Sequence, residues 1–349
     1  MSMSGPGAPR GPRTPAKPPR SRRLRWSLFL AIGAVIIVLV SLRGAASFYT
    51  DYLWFDALGQ ADVWRTIILS RVVLALIFIA VLFVLLYGNL TIADRMAPAQ
   101  RPRGPEEDVL ARYHASAGQR PRLMRLAVTL LFALPIGAGA SDQWEEWLLL
   151  TNSVDFGISD PIDAFWFGND VGFYVFQLPF YTYIVNWLFN VVLLTFFITA
   201  IAHYVNGGIR FQKKGERVTP QVKAHLSVLL GALALIKAAD YFLGRYELTT
   251  STSGAVDGAT YTDLNARLPV HWLLILISLL SFVLLIVNIR LKGWVLPTLA
   301  VGLWAFVAIV MGGIYPLIIQ RLRVEPAEST REQEYIEYNI ASTRLAMGL

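Results

Sequence analysis

The chain of 349 residues is 55% hydrophobic and only 16% charged, and its mean hydropathy of +0.50 is higher than a soluble domain of this size needs. Because there is no cysteine, disulfides, thiolate nucleophiles and cysteine metal sites are excluded. A net charge of +7 would suit nucleic acid, but the basic residues follow a membrane topology instead, so no nucleic-acid partner is predicted.

Residues 1–25 form a basic N-terminal segment. It contains seven Lys and Arg residues, no acidic residue and many Pro and Gly, a composition that predicts a disordered cytoplasmic tail. The apolar run that follows lacks a small-residue cleavage site, which favours an uncleaved signal anchor over a signal peptide.

Seven apolar segments predict transmembrane helices, and the fold class is therefore an all-α, polytopic membrane protein. The segments are 26–42, 66–88, 126–140, 181–203, 225–243, 269–289 and 294–319. Together they define a transmembrane domain over residues 26–320. Aspartates interrupt the stretch 143–181 and aromatic residues are interleaved with them, which predicts a loop at the outer interface.

The distribution of Lys and Arg predicts the orientation of these helices. Of the 31 basic residues, 21 fall in the tail and in alternate loops, 8 fall on the other side, and only Arg71 and Lys237 lie inside spans. The side with more Lys and Arg is cytoplasmic. We therefore expect a cytoplasmic N-terminus and an extracytoplasmic C-terminus in a multi-pass protein of the bacterial plasma membrane.

Residues 321–349 predict an amphipathic helix outside the membrane. Thr330 and Gln333 have the spacing of a capping box at its start. Its apolar positions recur at helical spacing, at Ile336, Ile340, Thr343 and Met347. We expect this apolar side to need a partner.

One face of the fifth predicted span is polar, and Arg245 follows where the span leaves the lipid. The residues that share this face are Lys237, Asp240, Tyr241, Gly244 and Glu247. A rise of about 1.5 Å per residue puts Lys237 roughly 10 Å and Asp240 roughly 6 Å below the outer surface. Such a face cannot contact lipid without a large energetic cost.

Arg71 in the second span would lie at a similar depth, roughly 8 Å, so the three charges can meet. One interpretation is a structural network that fixes the packing of the second and fifth helices. The other is the floor of an outward-facing polar cavity for an ion, a proton or a lipid headgroup. In either case Asp240→Ala should destabilise the protein by about 3–5 kcal/mol, since a cation would be left without its partner.

Acidic residues in the outer segments are further candidates for binding. They are Asp51, Asp56, Asp160, Asp170 and Asp263. The aspartates between residues 155 and 170 do not match a calcium-binding loop, and we expect them to cap turns. His203 and His225 can approach each other at the cytoplasmic side, but no third ligand has metal-site spacing, so no metal is predicted.

The sequence contains no pattern typical of catalysis. G-x-S-x-G, H-E-x-x-H and a phosphate-binding glycine loop are all absent. We therefore expect a protein that is not an enzyme and needs no cofactor.

Six separate strings occur in a fixed order and resemble the uncharacterised protein family 0182, from about residue 25 onwards. They are YTDYLWFDALGQ (49–60), DP with GNDVGFYVFQLPFY (160–161 and 168–181), HYVNGGIR (203–210), LIKAADYFLGRYEL (235–248), GATYTDLNARLP (258–269) and YIEYNIASTRLAMGL (335–349). The resemblance implies a membrane protein of actinobacteria or cyanobacteria with seven N-terminal spans, a large extracytoplasmic domain after them and no established activity. It also implies that this chain ends where the outer domain would begin, and Met347 replaces an expected aromatic residue.

Three functions remain open at this stage. The first is a non-enzymatic membrane module that anchors and orients an outer domain or an envelope protein partner, in contact with membrane lipids. The second is a transporter or channel-like component with an outward-facing polar vestibule at Arg71, Lys237 and Asp240. The third is an envelope-lipid enzyme that uses Asp240 or an outer-loop aspartate.

Overall fold

A computed structural model describes residues 21–98, 121–157, 169–210, 217–252, 254 and 257–349. Of the predicted disordered tail over residues 1–25, residues 1–20 lie outside the described residues, as does the candidate Asp160, whereas residues 21–25 are helical. Within them the chain is helical, apart from connecting turns and an isolated bridge between Ile209 and Val218. The all-α fold class is confirmed for this part of the chain.

The α-helices of the described residues are numbered here in chain order. They are α1 Ser21–Ala57, α2 Ala61–Arg95, α3 Pro121–Ala138, α4 Trp144–Thr151, α5 Leu178–Val205, α6 Pro220–Glu247, α7 Leu268–Leu291, α8 Val295–Val307, α9 Tyr315–Ile319, α10 Glu328–Arg331 and α11 Gln333–Met347. Short π-helical or 3-10 turns join several of them without interrupting the helical path.

Six helical stretches of the described residues are long and apolar enough to cross a membrane. They are Ala61–Arg95, Pro121–Thr151, Phe173–Val205, Pro220–Thr250, Asp263–Leu291 and Val295–Arg331. They correspond to six of the seven predicted spans, to within one residue at Trp294, and indicate a multi-pass membrane protein. The remaining predicted span, 26–42, lies within α1 and stays a prediction.

The chain divides into two compact units, Met1–Ile68 and Leu69–Leu349. In the first unit, Trp64 packs edge-on against Phe48 and Tyr52, with ring centroids 4.8 and 5.1 Å apart. These contacts join the end of α1 to the start of α2 across a short turn. The helix that contains the predicted first span therefore continues to Ala57.

A buried core in the second unit joins α2, α3 and α5. Along α2 the buried positions recur mostly every fourth residue, which aligns them on one face. The core residues are Leu74, Phe78, Leu82, Leu86, Leu90, Ala133, Ala140, Phe180, Trp187 and Val191. Many large apolar side chains elsewhere on the helices are exposed, as expected for helices that face lipid.

The backbones of α2 and α3 approach closely at Gly137. A Cβ atom built at this glycine would lie 2.5 Å from the backbone nitrogen of Ile79. Small residues permit such close helix contacts in membranes, where packing rather than water exclusion holds helices together. Further along the chain, α6 contacts α5 and α7, and α7 contacts α8.

Each π-helical segment ends two residues before a proline. The segments are Phe173–Gln177, Asp263–Arg267, Ala308–Ile314 and Gln320–Val324, and the prolines are Pro179, Pro269, Pro316 and Pro326. A proline has no N–H to donate and its ring crowds the carbonyl four residues earlier. That carbonyl lies inside each π-helical segment, whose wider turn relieves the crowding and lets the helix continue.

Two predictions from the sequence are wrong in detail. The stretch 143–181 is not one loop, because α4 continues to Thr151 and the next helical stretch has begun by Phe173. Trp147 of α4 packs against Phe180 with ring centroids 5.6 Å apart, and this contact holds α4 on the bundle. The predicted capping box is absent too, since no side chain caps α11 at its N-terminus.

Candidate functional site

Lys237 and Asp240 of α6 form an ion pair within the fifth predicted span. Lys237 Nζ lies 2.5 Å from Asp240 Oδ2, and the two side chains are 23% and 24% exposed. Lys237 Nζ also lies 5.1 Å from the ring centroids of Phe189 and Tyr241. Asp240 therefore neutralises the charge of Lys237. The ring of Tyr241 in α6 and that of Phe189 in α5 stabilise the ammonium group further.

Arg71 of α2 takes a different position. Its side chain is exposed, and its guanidinium carbon lies 5.3 Å from the ring centroid of Trp144. The structure thus joins Lys237 with Asp240 but places Arg71 against an aromatic ring.

Tyr241 and Gly244, on the same face of α6, pack on the first turns of α7. Tyr241 and His271 have ring centroids 6.3 Å apart. At Gly244 an added Cβ would lie 3.0 Å from His271 Nε2. Because His271 Nδ1 lies 2.7 Å from the carbonyl oxygen of Arg267, Nδ1 carries the proton and Nε2 faces α6.

Arg245 is enclosed by aromatic rings near the end of α6, and only 3% of the residue is exposed. Its guanidinium carbon lies 4.1 Å from the ring centroids of both Phe242 and Trp272. Its Nε donates to the carbonyl oxygen of Phe242 at 3.1 Å. Glu247, by contrast, is exposed, so the predicted six-residue cluster is spread over several environments.

A capping box closes the start of the helical stretch that leads into α7. The backbone N–H and the hydroxyl of Thr260 donate to Asp263 Oδ2 at 3.1 and 2.9 Å. In return, the N–H of Asp263 donates to the Thr260 hydroxyl oxygen at 3.3 Å. Arg267 donates to Asp263 Oδ1 at 2.7 Å, and Asp263 is fully buried. The structure therefore gives Asp263 the local role of a helix cap.

The next amide binds a carboxylate from the C-terminal segment. The backbone N–H of Tyr261 donates to both carboxylate oxygens of Glu332, at 3.1 and 3.3 Å. Glu332 is 3% exposed, and its burial raises the pKa of the carboxyl group above its ordinary value. The N–H of Tyr261, at the first amides of a helix, favours the ionised form and partly offsets the effect of burial.

Contacts from α11 extend this junction. Asn265 Nδ2 donates to the hydroxyl oxygen of Tyr335 at 3.3 Å, and Asn339 Nδ2 donates to the carbonyl oxygen of Asp257 at 2.5 Å. We name this junction the C-terminal dock; it consists of Asp257, Tyr261, Asp263, Asn265, Glu332, Tyr335 and Asn339. Two of the strings used for the family resemblance, 258–269 and 335–349, meet in the C-terminal dock.

Sequence reasoning singled out Asp263 but missed Glu332. The T-x-x-D pattern at Thr260 and Asp263 was the signal that could have revealed a cap in this loop. No local pattern could reveal Glu332, because it lies 71 residues from Tyr261.

Asp170, another acidic candidate, binds backbone amides close to it in the chain. Asp170 Oδ1 accepts hydrogen bonds from the backbone N–H groups of Phe156 and Gly172 at 2.8 and 2.7 Å. This geometry agrees with the expectation that loop aspartates cap turns. Asp51 and Asp56 are exposed on α1 in the first unit.

At the opposite end of α6, two buried histidines join three helices. His203 Nε2 lies 2.9 Å from His225 Nδ1, and His225 Nε2 lies 2.9 Å from Asn89 Oδ1. The Asn89 amide NH2 donates to Leu85, so its oxygen faces His225. In the neutral pair, His225 therefore donates from Nε2 and accepts at Nδ1 from His203. The expected approach of the two histidines is confirmed.

Nearby, Asp94 accepts hydrogen bonds from Arg125 at 2.5 Å and from Asn206 at 2.9 Å, which ties α2 to α3 and to the end of α5. Asn288 Nδ2 donates to Ser227 Oγ at 2.8 Å and joins α7 to α6. Among the described residues, no group of three or more His, Asp or Glu side chains is arranged to hold a metal ion.

Long apolar helices, joined by buried polar contacts at both ends, define a multi-pass helical membrane protein. The chain belongs to the uncharacterised protein family UPF0182, whose sequence profile matches residues 28–349. No solved structure matches the chain.

Similar proteins occur in several actinobacteria. A UPF0182 protein of Frankia alni is 43% identical over 86% of this chain and 29% of its own length. A UPF0182 protein of Thermobifida fusca is 38% identical over 100% of this chain and 33% of its own length. One of Streptomyces coelicolor is 35% identical over 100% of this chain and 35% of its own length. The chain therefore spans about a third of the length of the curated relatives it matches.

Proposed function

We propose that the chain is a non-enzymatic membrane module that anchors and orients an extracytoplasmic domain or a partner protein at the cell envelope. The observation that carries this proposal is the C-terminal dock. The segment that follows the last long helical stretch, Val295–Arg331, contacts the residues that lead into α7. The contacts are made by Glu332, Tyr335 and Asn339.

The contacts of the C-terminal dock suit a fixed junction. Glu332 and Asp263 are buried, and the hydrogen bonds from Tyr261 and Asn265 involve two turns of the C-terminal segment. Each hydrogen bond contributes about 0.5–1.5 kcal/mol, so several together restrict the direction in which α11 leaves the bundle. Whatever is attached to α11 would take its orientation from α7.

We place the C-terminal dock outside the bacterial plasma membrane. The end of the bundle that carries His203 is next to segments rich in Lys and Arg, whereas few basic residues lie between α6 and α7. This asymmetry favours a cytoplasmic His203 end and an extracytoplasmic dock.

The test is co-purification from native membranes with a double variant in the dock, Tyr335→Ala with Asn339→Ala. The matched control is Lys237→Met with Asp240→Leu, which changes the ion pair and leaves the dock intact. The proposal expects an envelope protein to be retained by wild type and control but lost from the dock variant. Retention by all three proteins would contradict it.

A second candidate function is transport through a polar vestibule, favoured by the ion pair of Lys237 and Asp240 within an apolar span. The measurement is ion or proton flux in proteoliposomes. Flux in the wild type that disappears in the Lys237→Met, Asp240→Leu variant would support transport and count against a purely structural ion pair. Equal permeability of wild-type, variant and empty liposomes would reject it.

A further inference from the structure

Two buried carboxyl groups share adjacent amides in the C-terminal dock. Asp263 accepts from the N–H of Thr260, and Glu332 accepts from the N–H of Tyr261. The two residues are 0% and 3% exposed. Two carboxylates this close repel each other when both are ionised, so the charge of Asp263 disfavours ionisation of Glu332.

The surroundings differ in one respect. Asp263 has a cationic partner, since Arg267 donates to its Oδ1 at 2.7 Å. Among the described residues, the ion pairs do not include Glu332. The nearby guanidinium groups of Arg323 and Arg331 lie over the ring of Tyr261, at 5.8 and 5.3 Å from its centroid. Glu332 is therefore the less compensated of the two buried carboxyl groups.

Burial and the neighbouring acidic residues act on Glu332 in the same direction. Burial is the largest cause of its raised pKa, and the negative charges of Asp263 and Glu328 add to it, while the N–H of Tyr261 opposes them. Tyr335, one turn further along, has a raised pKa of its own, chiefly from burial. It therefore stays neutral over the range in which Glu332 titrates.

We propose that Glu332 is a pH-sensitive latch, which holds α11 most tightly on the start of α7 when it is protonated and loosens as it ionises. This inference rests on the proposed function, because it adds regulation to the junction that would orient the outer domain. A change in external pH would then alter how firmly that domain is held.

The direction of the pH dependence of docking follows from proton linkage. The pKa of Glu332 is higher in the docked state than in a solvated segment, where a glutamate has its ordinary value of 4.5. The docked state therefore binds the proton more tightly. At a pH below 4.5 the carboxyl group is protonated in both states, so docking does not require a charge to be buried. As the pH rises through the raised value, ionisation in a buried site increasingly opposes docking.

The experiment measures a distance between α11 and the far end of α7. Because the chain has no cysteine, spin labels can be placed uniquely with Arg344→Cys on α11 and Leu291→Cys, both at exposed positions. The protein is reconstituted in lipid nanodiscs and the distance distribution is recorded by pulsed electron resonance from pH 4.5 to 8.5. We expect a narrow distribution at low pH and a growing broad component as the pH rises.

Glu332→Gln removes the titration and keeps the size and an acceptor oxygen, so its distribution should be narrow at every pH. Glu334→Gln is the matched control on the exposed side of α11 and should behave as wild type. If Glu332→Gln does not fold, Glu328→Gln replaces it, and the midpoint should move to lower pH because a repelling charge is gone. An unmoved midpoint in that variant would contradict the latch.

The remaining outcomes separate the latch from the proposed function. A narrow wild-type distribution at every pH would overturn the latch and leave the dock intact. A pH response that persists in Glu332→Gln would assign the switch to another group and overturn it too. A broad distribution at every pH, in Glu332→Gln as well, would mean that α11 is not docked and would contradict both proposals.

Discussion

The imidazole of His203 and the imidazole of His225 are joined by a hydrogen bond of 2.9 Å, with their rings almost perpendicular at 89°. Both residues are buried, at 1% and 6% exposure. Because His225 also binds Asn89, this pair joins the ends of α2, α5 and α6. Its members are 22 residues apart, so it also fixes how the chain returns from α5 to α6.

Replacing His225 with alanine should destabilise the protein by about 1–3 kcal/mol, since buried groups of His203 and Asn89 lose their partner. The double variant His203→Ala with His225→Ala should be less destabilised than the sum of the single variants, with a coupling energy of about 0.5–3 kcal/mol. Unfolding in mixed micelles measures these differences. Asn190→Ala, on the exposed face of α5, is the control and should change stability little.

Strict additivity of the two histidine substitutions would contradict the coupling. It would mean that the two rings are held independently and that the hydrogen bond between them does not stabilise the bundle.

Gly137→Ala should destabilise the bundle by about 1–3 kcal/mol, the usual cost of overpacking. The added methyl group would meet the backbone of Ile79 at 2.5 Å, and a backbone cannot rotate away as a side chain can. Alanine in a helix would otherwise gain up to about 1 kcal/mol over glycine, so a net loss isolates the close contact. Thermal unfolding in detergent gives the comparison.

Gly139→Ala is the matched control for this substitution. Gly139 lies two residues further along and has open space around its Cα, with nothing within 4 Å of an added Cβ. Equal stability of the two variants would show that α2 and α3 separate easily at Gly137.

The sequence predicted the apolar helices well because membrane-length hydrophobic runs are a local property. It did not predict that Arg71 lies over Trp144, because depth along a helix does not give the direction around its axis. Ser70 and Leu74 belong to the buried row of α2, and Arg71 lies about 100° further round, on the exposed face.

The C-terminal dock could not be predicted for a different reason. The contact between Tyr261 and Glu332 joins residues 71 positions apart, and helical periodicity carries no information about such a pairing. The capping box predicted at Thr330 assigned the start of α11 to a local contact instead. The structure instead caps α7 locally, through Asp263, and uses Glu332 for the long-range contact.

Asp240→Ala should destabilise the protein by about 3 kcal/mol, the lower end of the range expected for a broken buried pair. The pair is about a quarter exposed, and the rings of Phe189 and Tyr241 continue to stabilise Lys237 after the change. Glu247→Ala, at an exposed position beyond the pair, is the control. Unfolding in micelles measures both.

The matched replacement Lys237→Met with Asp240→Leu should recover most of this loss, since apolar side chains of similar size need no counter-charge. If the double variant is as unstable as Asp240→Ala, the ion pair itself would be required for the packing of α6.

Single-cysteine labelling should place the two ends of the bundle on opposite sides of the membrane. Because the chain has no cysteine, each variant carries one reactive thiol. Arg122→Cys at the start of α3 and Leu291→Cys at the end of α7 should be protected from a membrane-impermeant maleimide in intact cells. Thr252→Cys after α6 and Glu334→Cys on α11 should react, since the lysine and arginine bias puts the C-terminal dock outside. All four positions are exposed, so protection reports the membrane barrier and should disappear when the cells are permeabilised. The reverse pattern of labelling would invert the orientation and with it the proposal that the dock holds an extracytoplasmic domain.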